Sequence, residues 1–188
     1  MMEKEVESPL KRFIMEKGGT PKAGVVTMDD LKQALRDIRE WFKTYSKSYH
    51  EKLEAINPIT EEDLEKVQFS FPRPLPVSVR TLLEMHNGGF QLLDTFITLP
   101  LAEIETVNKE LAPKKGWKVD YFPVAKDTDG QYLCVETDGE KEVRLLIWNE
   151  DGIEFIAKSF GKYIESIRDS LLLKKLEYDE IVGLISIV

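Results

Sequence analysis

Apolar residues recur along the first half of the chain at the spacing of a helix. After Thr27, the residues Leu31, Leu35, Ile38, Phe42, Tyr45, Tyr49 and Leu53 follow one another at intervals of three or four. They share one face of a 3.6-residue repeat and predict a long helix over 27–57. Thr27 is placed to cap it, Asp29 and Asp30 suit the positive end of its dipole, and Asn57-Pro58 ends it, because a residue before proline is pushed out of the α region. Thr60-Glu61-Glu62-Asp63 repeats the capping pattern ahead of a short helix with Leu64 and Val67. Phe71-Pro72-Arg73-Pro74-Leu75-Pro76 forbids regular structure, since its three prolines carry no amide donor. Pro76 then reads as the first residue of a helix with Val79, Leu82, Leu83 and His86 on one side, stopped at Asn87-Gly88-Gly89. Residues 1–26, with Leu10, Phe13 and Ile14 ahead of Gly18-Gly19-Thr20-Pro21, read as a flexible or peripheral segment before a single domain over 27–188.

After Gly89 the period shortens to that of a strand. Phe90 to Leu93 and Phe96 to Leu99 flank Asp94-Thr95 and predict a hairpin, and Ile104, Val107 and Leu111 return to helical spacing over 101–111. Four strands follow at 121–125, 131–136, 143–148 and 153–157, joined through Asp129-Gly130, Asp138-Gly139 and Asp151-Gly152, pairs that accept tight-turn geometry. Ser159 caps a last helix with Phe160, Tyr163, Ile164, Ile167 and Leu171. Helices, then a meander, then a closing helix predict an α+β fold, mostly antiparallel in its sheet. The tail over 174–188 is apolar from Ile181 onward and too short to span a bilayer. It reads as a core-packed strand or helix end, with docking on another chain as the alternative.

The chain's 188 residues suffice for one domain with its own core. One cysteine, Cys134, allows no internal disulfide and no thiolate zinc pair, which fits a reducing compartment. The acidic start lacks the apolar run of a secretory signal, and no stretch approaches the length of a spanning helix. These features predict a cytoplasmic protein off the membrane. Charge is unevenly spread. Residues 1–60 carry 11 basic and 10 acidic side chains, net +1, whereas residues 61–188 carry 15 and 24, net −9. The deficit concentrates in the meander, at Asp127, Asp129, Glu136, Asp138, Glu140, Glu142, Glu150, Asp151 and Glu154. Nucleic-acid phosphates are repelled by such a surface, whereas a basic protein is steered toward it. Simple solvation of the same charges is the plainer reading.

Material for catalysis is sparse. Of two histidines, His50 reads as a surface residue and His86 as an imidazole satisfying carbonyls at a helix end. Cys134 lies in an acidic strand that disfavours its thiolate, so it reads as inert. Asp127-Thr128-Asp129-Gly130 resembles part of a calcium loop, but the first ligand position falls on Ala125 and the flanks read as strands, which leaves a turn stabilised by its own carboxylates. No phosphate-binding glycine loop, nucleophile elbow or zinc-protease motif is present, and no cofactor is expected. Trp41, Trp117 and Trp148 read as core residues, with exposed anchors as the alternative.

Several pieces together resemble a known family. Ile59 to Lys66, Leu75-Pro76 and Leu82-Leu83-Glu84-Met85-His86-Asn87-Gly88-Gly89 are similar to the opening signature of the SUKH superfamily. Phe122-Pro123-Val124-Ala125, the turn ending in Gly130, and Ile156-Ala157-Lys158-Ser159-Phe160 resemble its later elements, so the likeness spans 59–173. That group includes fungal cell-wall-assembly regulators, bacterial toxin-immunity proteins and a domain of some F-box proteins. The resemblance implies a mixed sheet wrapped by helices and a non-catalytic role in binding other proteins. It implies structural roles for Leu75, Pro76, His86, Asn87, Gly88, Gly89, Gly130, Ser159 and Phe160. The resulting expectation is an interaction or regulatory module whose acidic sheet and turn face, at Asp127, Asp129, Asp138, Glu140, Glu142, Glu150 and Asp151, meets a basic protein. The alternatives are an immunity protein that neutralises a cationic toxin such as a nuclease, and a small hydrolase or transferase using Cys134 or carboxylates.

Overall fold

The computed structural model describes residues 26–67, 69–139 and 141–187. The expected peripheral segment up to residue 25, and Glu140, lie outside the described residues. Helix α1 (Met28–Tyr45) opens on a capping box: the Thr27 hydroxyl accepts from the Asp30 amide while the Asp30 carboxylate accepts from the Thr27 amide. The helix expected over 27–57 is broken at Ser46, which leaves the helical region at φ −149°, ψ 79°, and resumes as α2 (Lys47–Glu54). Thr44-Tyr45-Ser46 combines poor helix formers, and the break turns Tyr49 inward and leaves Tyr45 exposed. The Tyr49 hydroxyl donates to the Gly89 carbonyl at 2.6 Å and accepts from the Gln91 amide at 2.6 Å.

Helix α3 (Glu61–Val67) carries the second capping pair, Thr60 with Asp63. Helix α4 (Val77–Met85) starts one residue later than expected, with Pro76 as its cap, because Pro76 is extended at ψ 139°. The predicted hairpin is present in shortened form. The Leu92 amide bonds to the Phe96 carbonyl across a turn in which Asp94 adopts φ +53°, and only Ile97–Thr98 forms a strand, β1. Helix α5 (Leu101–Leu111) follows, and then β2 (Tyr121–Lys126), β3 (Tyr132–Asp138), β4 (Lys141–Asn149) and β5 (Gly152–Ala157). Helix α6 (Phe160–Leu172) and a hairpin of β6 (Leu176–Asp179) and β7 (Gly183–Ser186) close the described chain.

The five-stranded sheet has the order β1-β2-β3-β4-β5 and is antiparallel throughout. Parallel pairing among the described residues is confined to a single bridge between Leu93 and Leu184, so the sheet is not mixed. Helix α6 packs on β4 and β5, and α1 lies along α6 and α4. Leu31, Leu35, Ile38 and Phe42 of α1 meet Phe160, Ile164, Ile167 and Leu171 of α6 in one core with Leu133, Val135 and Leu145 of the sheet. Val26 seats against Gly161, where a Cβ would lie 2.9 Å from the valine methyl. Trp148 is buried and packs edge-on against half-buried Trp117, while Trp41 is half-buried and stacked on Tyr45. The apolar tail forms a strand, but of its described large apolar residues from Ile181 onward only Leu184 is fully enclosed; Ile181 at the hairpin tip is exposed. No described helix is long and apolar enough to cross a membrane.

Candidate interaction surface

Strand register decides where the acidic residues stand. Tyr132 faces Trp148, and Asn149 faces Gly152, so the β2–β3 and β4–β5 turns lie at one end of the sheet. That end carries Asp127, Asp129, Glu150 and Asp151. Asp138 faces Lys141 at the opposite end, with Glu142 one residue on. Six strand residues separate the two ends, about 20 Å. The expected single acidic face is therefore two separate groups.

At the first end the turns are fixed by side chains. One oxygen of Asp127 accepts from the amides of Asp129, at 3.0 Å, and Gln131, at 2.7 Å, and the other from the Gln131 side chain. Gly130 sits at φ +83°, which a residue with a Cβ rarely adopts. Asn149 Oδ1 likewise accepts from the amides of Asp151 and Gly152, and its Nδ2 donates to Gln131. The two turns thus share Gln131. Glu150 is held by Lys114 at 2.8 Å, which keeps its carboxyl below the usual range. Among the described residues no cation pairs with Asp129 or Asp151, and both are exposed. Nearby Asp94 has its carboxyl pushed up by burial and by the charge of Asp127.

Glu142 has a different role from the one expected. The β3–β4 ladder slips between Glu136 and Thr137, so that Thr137 faces Glu142 where an unbroken register offers Val143. Residues directly opposite share a face, so the bulge turns Glu142 away from the side occupied by Arg144 and Glu136. One Glu142 oxygen accepts from the Ser78 hydroxyl of α4 at 2.8 Å, and the other from the Phe160 amide at the start of α6. Ser159 caps the same helix through the Lys162 amide. Glu142 is a latch between β4, α4 and α6 rather than a free surface charge. Sequence reading missed it because nothing in the strand pattern marks a bulge. Glu136, on the other side, is partly buried, which pushes its carboxyl up. Arg144 and Lys118 more than offset this and hold it below the usual range.

The residues suited to chemistry are enclosed. Cys134 is fully buried and burial pushes its thiol well above the ordinary value. His86 does not bond helix-end carbonyls as expected; only its backbone amide caps α4, through the Leu82 carbonyl. Its ring is buried beside Phe90, neither ring nitrogen has a partner among the described residues, and burial, with Arg39 nearby, pushes its pKa down to about 4. His50 is half-buried and lies 3.4 Å from Glu54. Asn87 Oδ1 accepts from the Leu101 amide and serves α5, whose own cap residue, Pro100, has no side-chain acceptor. Gly88, at φ +86°, lies where a Cβ would come within 2.6 Å of the Pro100 nitrogen. His86 to Gly89 therefore join α4, β1 and α5 as structural parts. Pro76 is buried and Leu75 half-buried. Among the described residues no His, Cys, Asp and Glu side chains gather into a metal-binding group.

The surface of the described residues includes two grooves. One, of about 340 Å³, is lined by Trp41, Tyr45, Leu171, Lys174, Leu176, Glu177 and Tyr178. The other, of about 480 Å³, runs between α3 and the proline-rich segment, past Leu64, Phe69, Phe71 and Arg73. Compared with models of known families, residues 58–166 match the SMI1 / KNR4 family (SUKH-1). No curated protein matches the chain.

Proposed function

The chain belongs to the SMI1 / KNR4 family (SUKH-1), and from that premise we propose a non-catalytic interaction or regulatory module that receives a basic partner protein at the Asp129–Asp151 end of its sheet. Family membership supports regulator or immunity-type roles in general. The observation that carries the finer reading is the pair of turns cross-linked through Gln131. Asp127 and Asn149 spend their side chains on turn amides, and this holds Asp129 and Asp151 outward with no cation of their own among the described residues. Carboxylates so presented need little ordering on binding, and exposed charges act mainly on association rate. Burial of Cys134 argues against a thiol mechanism.

The test is charge reversal. A chain carrying Asp129→Lys and Asp151→Lys, immobilised beside the unaltered chain, is used to capture proteins from the native cell at low salt. The expected outcome is a basic protein retained by the unaltered chain, released by added salt and lost from the variant. Identical captured sets from the two chains refute the reading. The immunity alternative uses the same carboxylates and differs in its readout, since the chain then rescues cells from a cationic toxin and the variant does not.

A further inference from the structure

The groove where α1 and α6 end against β6 combines three features. Its walls are aromatic: Tyr178 is braced by Phe42 at 5.2 Å and by Tyr49 at 5.1 Å, and Trp41 stacks on Tyr45 at 4.7 Å, over a floor of buried Leu171 and Leu176. Its donors are open, since among the described residues nothing accepts from the Trp41 indole N–H or from the hydroxyls of Tyr45 and Tyr178. Its two charges, Lys174 and Glu177, have no counter-ion among the described residues. Lys174 also stands at φ +54°. Its amide bonds to the Leu171 carbonyl at 3.0 Å and the Lys175 amide to the Ser170 carbonyl at 2.8 Å, the pattern in which a helix ends on a left-handed residue, usually glycine. A cation suits that end of α6, but glycine fits the backbone with less strain, so the fold alone does not select lysine.

We propose that this groove receives a proline-rich, extended segment of a partner protein that carries an arginine. A polyproline II segment makes no internal hydrogen bonds, so its carbonyls are free acceptors for the indole N–H, the two hydroxyls and the Lys174 ammonium. Its rings pack on aromatic walls, and because it is already extended it loses little freedom on binding. Glu177 is the one carboxylate among the residues lining the groove, and it selects the positive charge of the arginine. This charge complementarity separates such a peptide from a neutral glycan, which stacks on the same rings but leaves Glu177 without a counter-ion. An α-helix fits less well, because its carbonyls are spent internally and leave the groove's donors unmatched. A volume of about 340 Å³ admits a few residues of an extended chain. None of the lining residues belongs to the two acidic turns, so this site and the acidic-end reading stand or fall separately.

The test uses the full chain and a fluorescein-labelled peptide of six prolines with one arginine at the centre, followed by anisotropy at physiological salt. One control peptide has glutamate in place of the arginine, and another has glycine in place of every proline. The expected result is that the parent peptide binds, that the glutamate peptide binds about fivefold or more weakly, and that Glu177→Gln removes this difference. The glycine peptide also binds more weakly, since it must be ordered first. Lys174→Gly weakens binding while leaving the urea midpoint equal or higher, which a purely structural lysine would not do. Tyr178→Phe, which removes only a hydroxyl, weakens binding as well. Circular dichroism checks that the variants fold. No binding of the parent peptide, equal binding of either control, or unchanged affinity in both Lys174→Gly and Tyr178→Phe overturns the proposal. Loss of the parent peptide on Asp129→Lys with Asp151→Lys overturns it too and assigns the peptide to the acidic end. Binding of cellohexaose in place of the peptide, abolished by Tyr45→Ser, overturns it in favour of a glycan. A dimer in sedimentation that Tyr45→Ser abolishes overturns it in favour of a second copy of the chain.

Discussion

Removing the Glu142 carboxylate separates a structural role from a binding one. It accepts two hydrogen bonds, from the Ser78 hydroxyl and from the Phe160 amide at the positive end of α6. Hydrogen bonds to a charged group contribute about 1.5–3 kcal/mol each, and an anion at a helix N-terminus about 0.3–1 kcal/mol. The two bonds share one carboxylate and do not add fully. Ser78 is 2% exposed, so Glu142→Ala strands a buried hydroxyl as well as a helix amide. The expected loss is about 2–4 kcal/mol, read as a lower urea midpoint at unchanged slope. For a chain of this length that lowers Tm by about 5–15 °C. Glu142→Gln keeps one acceptor for Phe160 and an amide that can donate to Ser78, and costs about 1 kcal/mol. A cycle with Ser78→Ala gives a coupling of at least about 0.5 kcal/mol. A Glu142→Ala protein within about 0.5 kcal/mol of the unaltered chain refutes the latch, and with it the bulge argument that turns Glu142 inward.

His86 has a pKa of about 4 in the folded chain against an ordinary 6.5. Above pH 6.5 the ring is neutral in both states and adds no pH dependence; as pH falls toward 4 the unfolded chain takes up a proton that the folded one refuses. Stability therefore drops over that window, by about 3 kcal/mol in full, and His86→Leu flattens this part of a urea midpoint profile against pH. Gly183→Ala places a Cβ 1.8 Å from the Asp94 carbonyl at a φ of +77°, so the β6–β7 hairpin detaches. The sign is faster hydrogen exchange at the Asp94 amide, which bonds to the Leu184 carbonyl at 2.8 Å; unchanged protection there refutes the docking.

Local chemistry made most elements readable in advance. Thr60 with Asp63 forms the capping box that its spacing predicts, Thr27 caps α1 as expected with Asp30 completing a second box, and α5 runs from Leu101 to Leu111 as its apolar period implies. The four meander strands lie within about two residues of their predicted bounds because their turns carry Asp-Gly pairs with few alternatives. What was not legible depends on residues far apart in the chain. The break at Ser46 serves a tyrosine whose partners are Gly89 and Gln91, some forty residues on. The cap of α5 comes from Asn87, and the neutral His86 follows from enclosure by Phe90 and the core rather than from its helix-end position. Charge counting along the sequence treated the meander acids as one surface, because only the register reveals which turns share an end.

That division gives the acids of one meander opposite uses. At the Asp138 end, a bulge draws Glu142 into the joint between sheet and helices, where its charge stabilises the fold by satisfying an amide and a hydroxyl. At the other end Asp127 and Asn149 spend their side chains on the turns, and the charge left over stands on Asp129 and Asp151. A binding surface built this way needs rigid turns more than many charges, since each unpaired carboxylate acts only through its distance to a partner cation. Replacing Gln131, which ties the two turns together, therefore disturbs recognition without altering net charge.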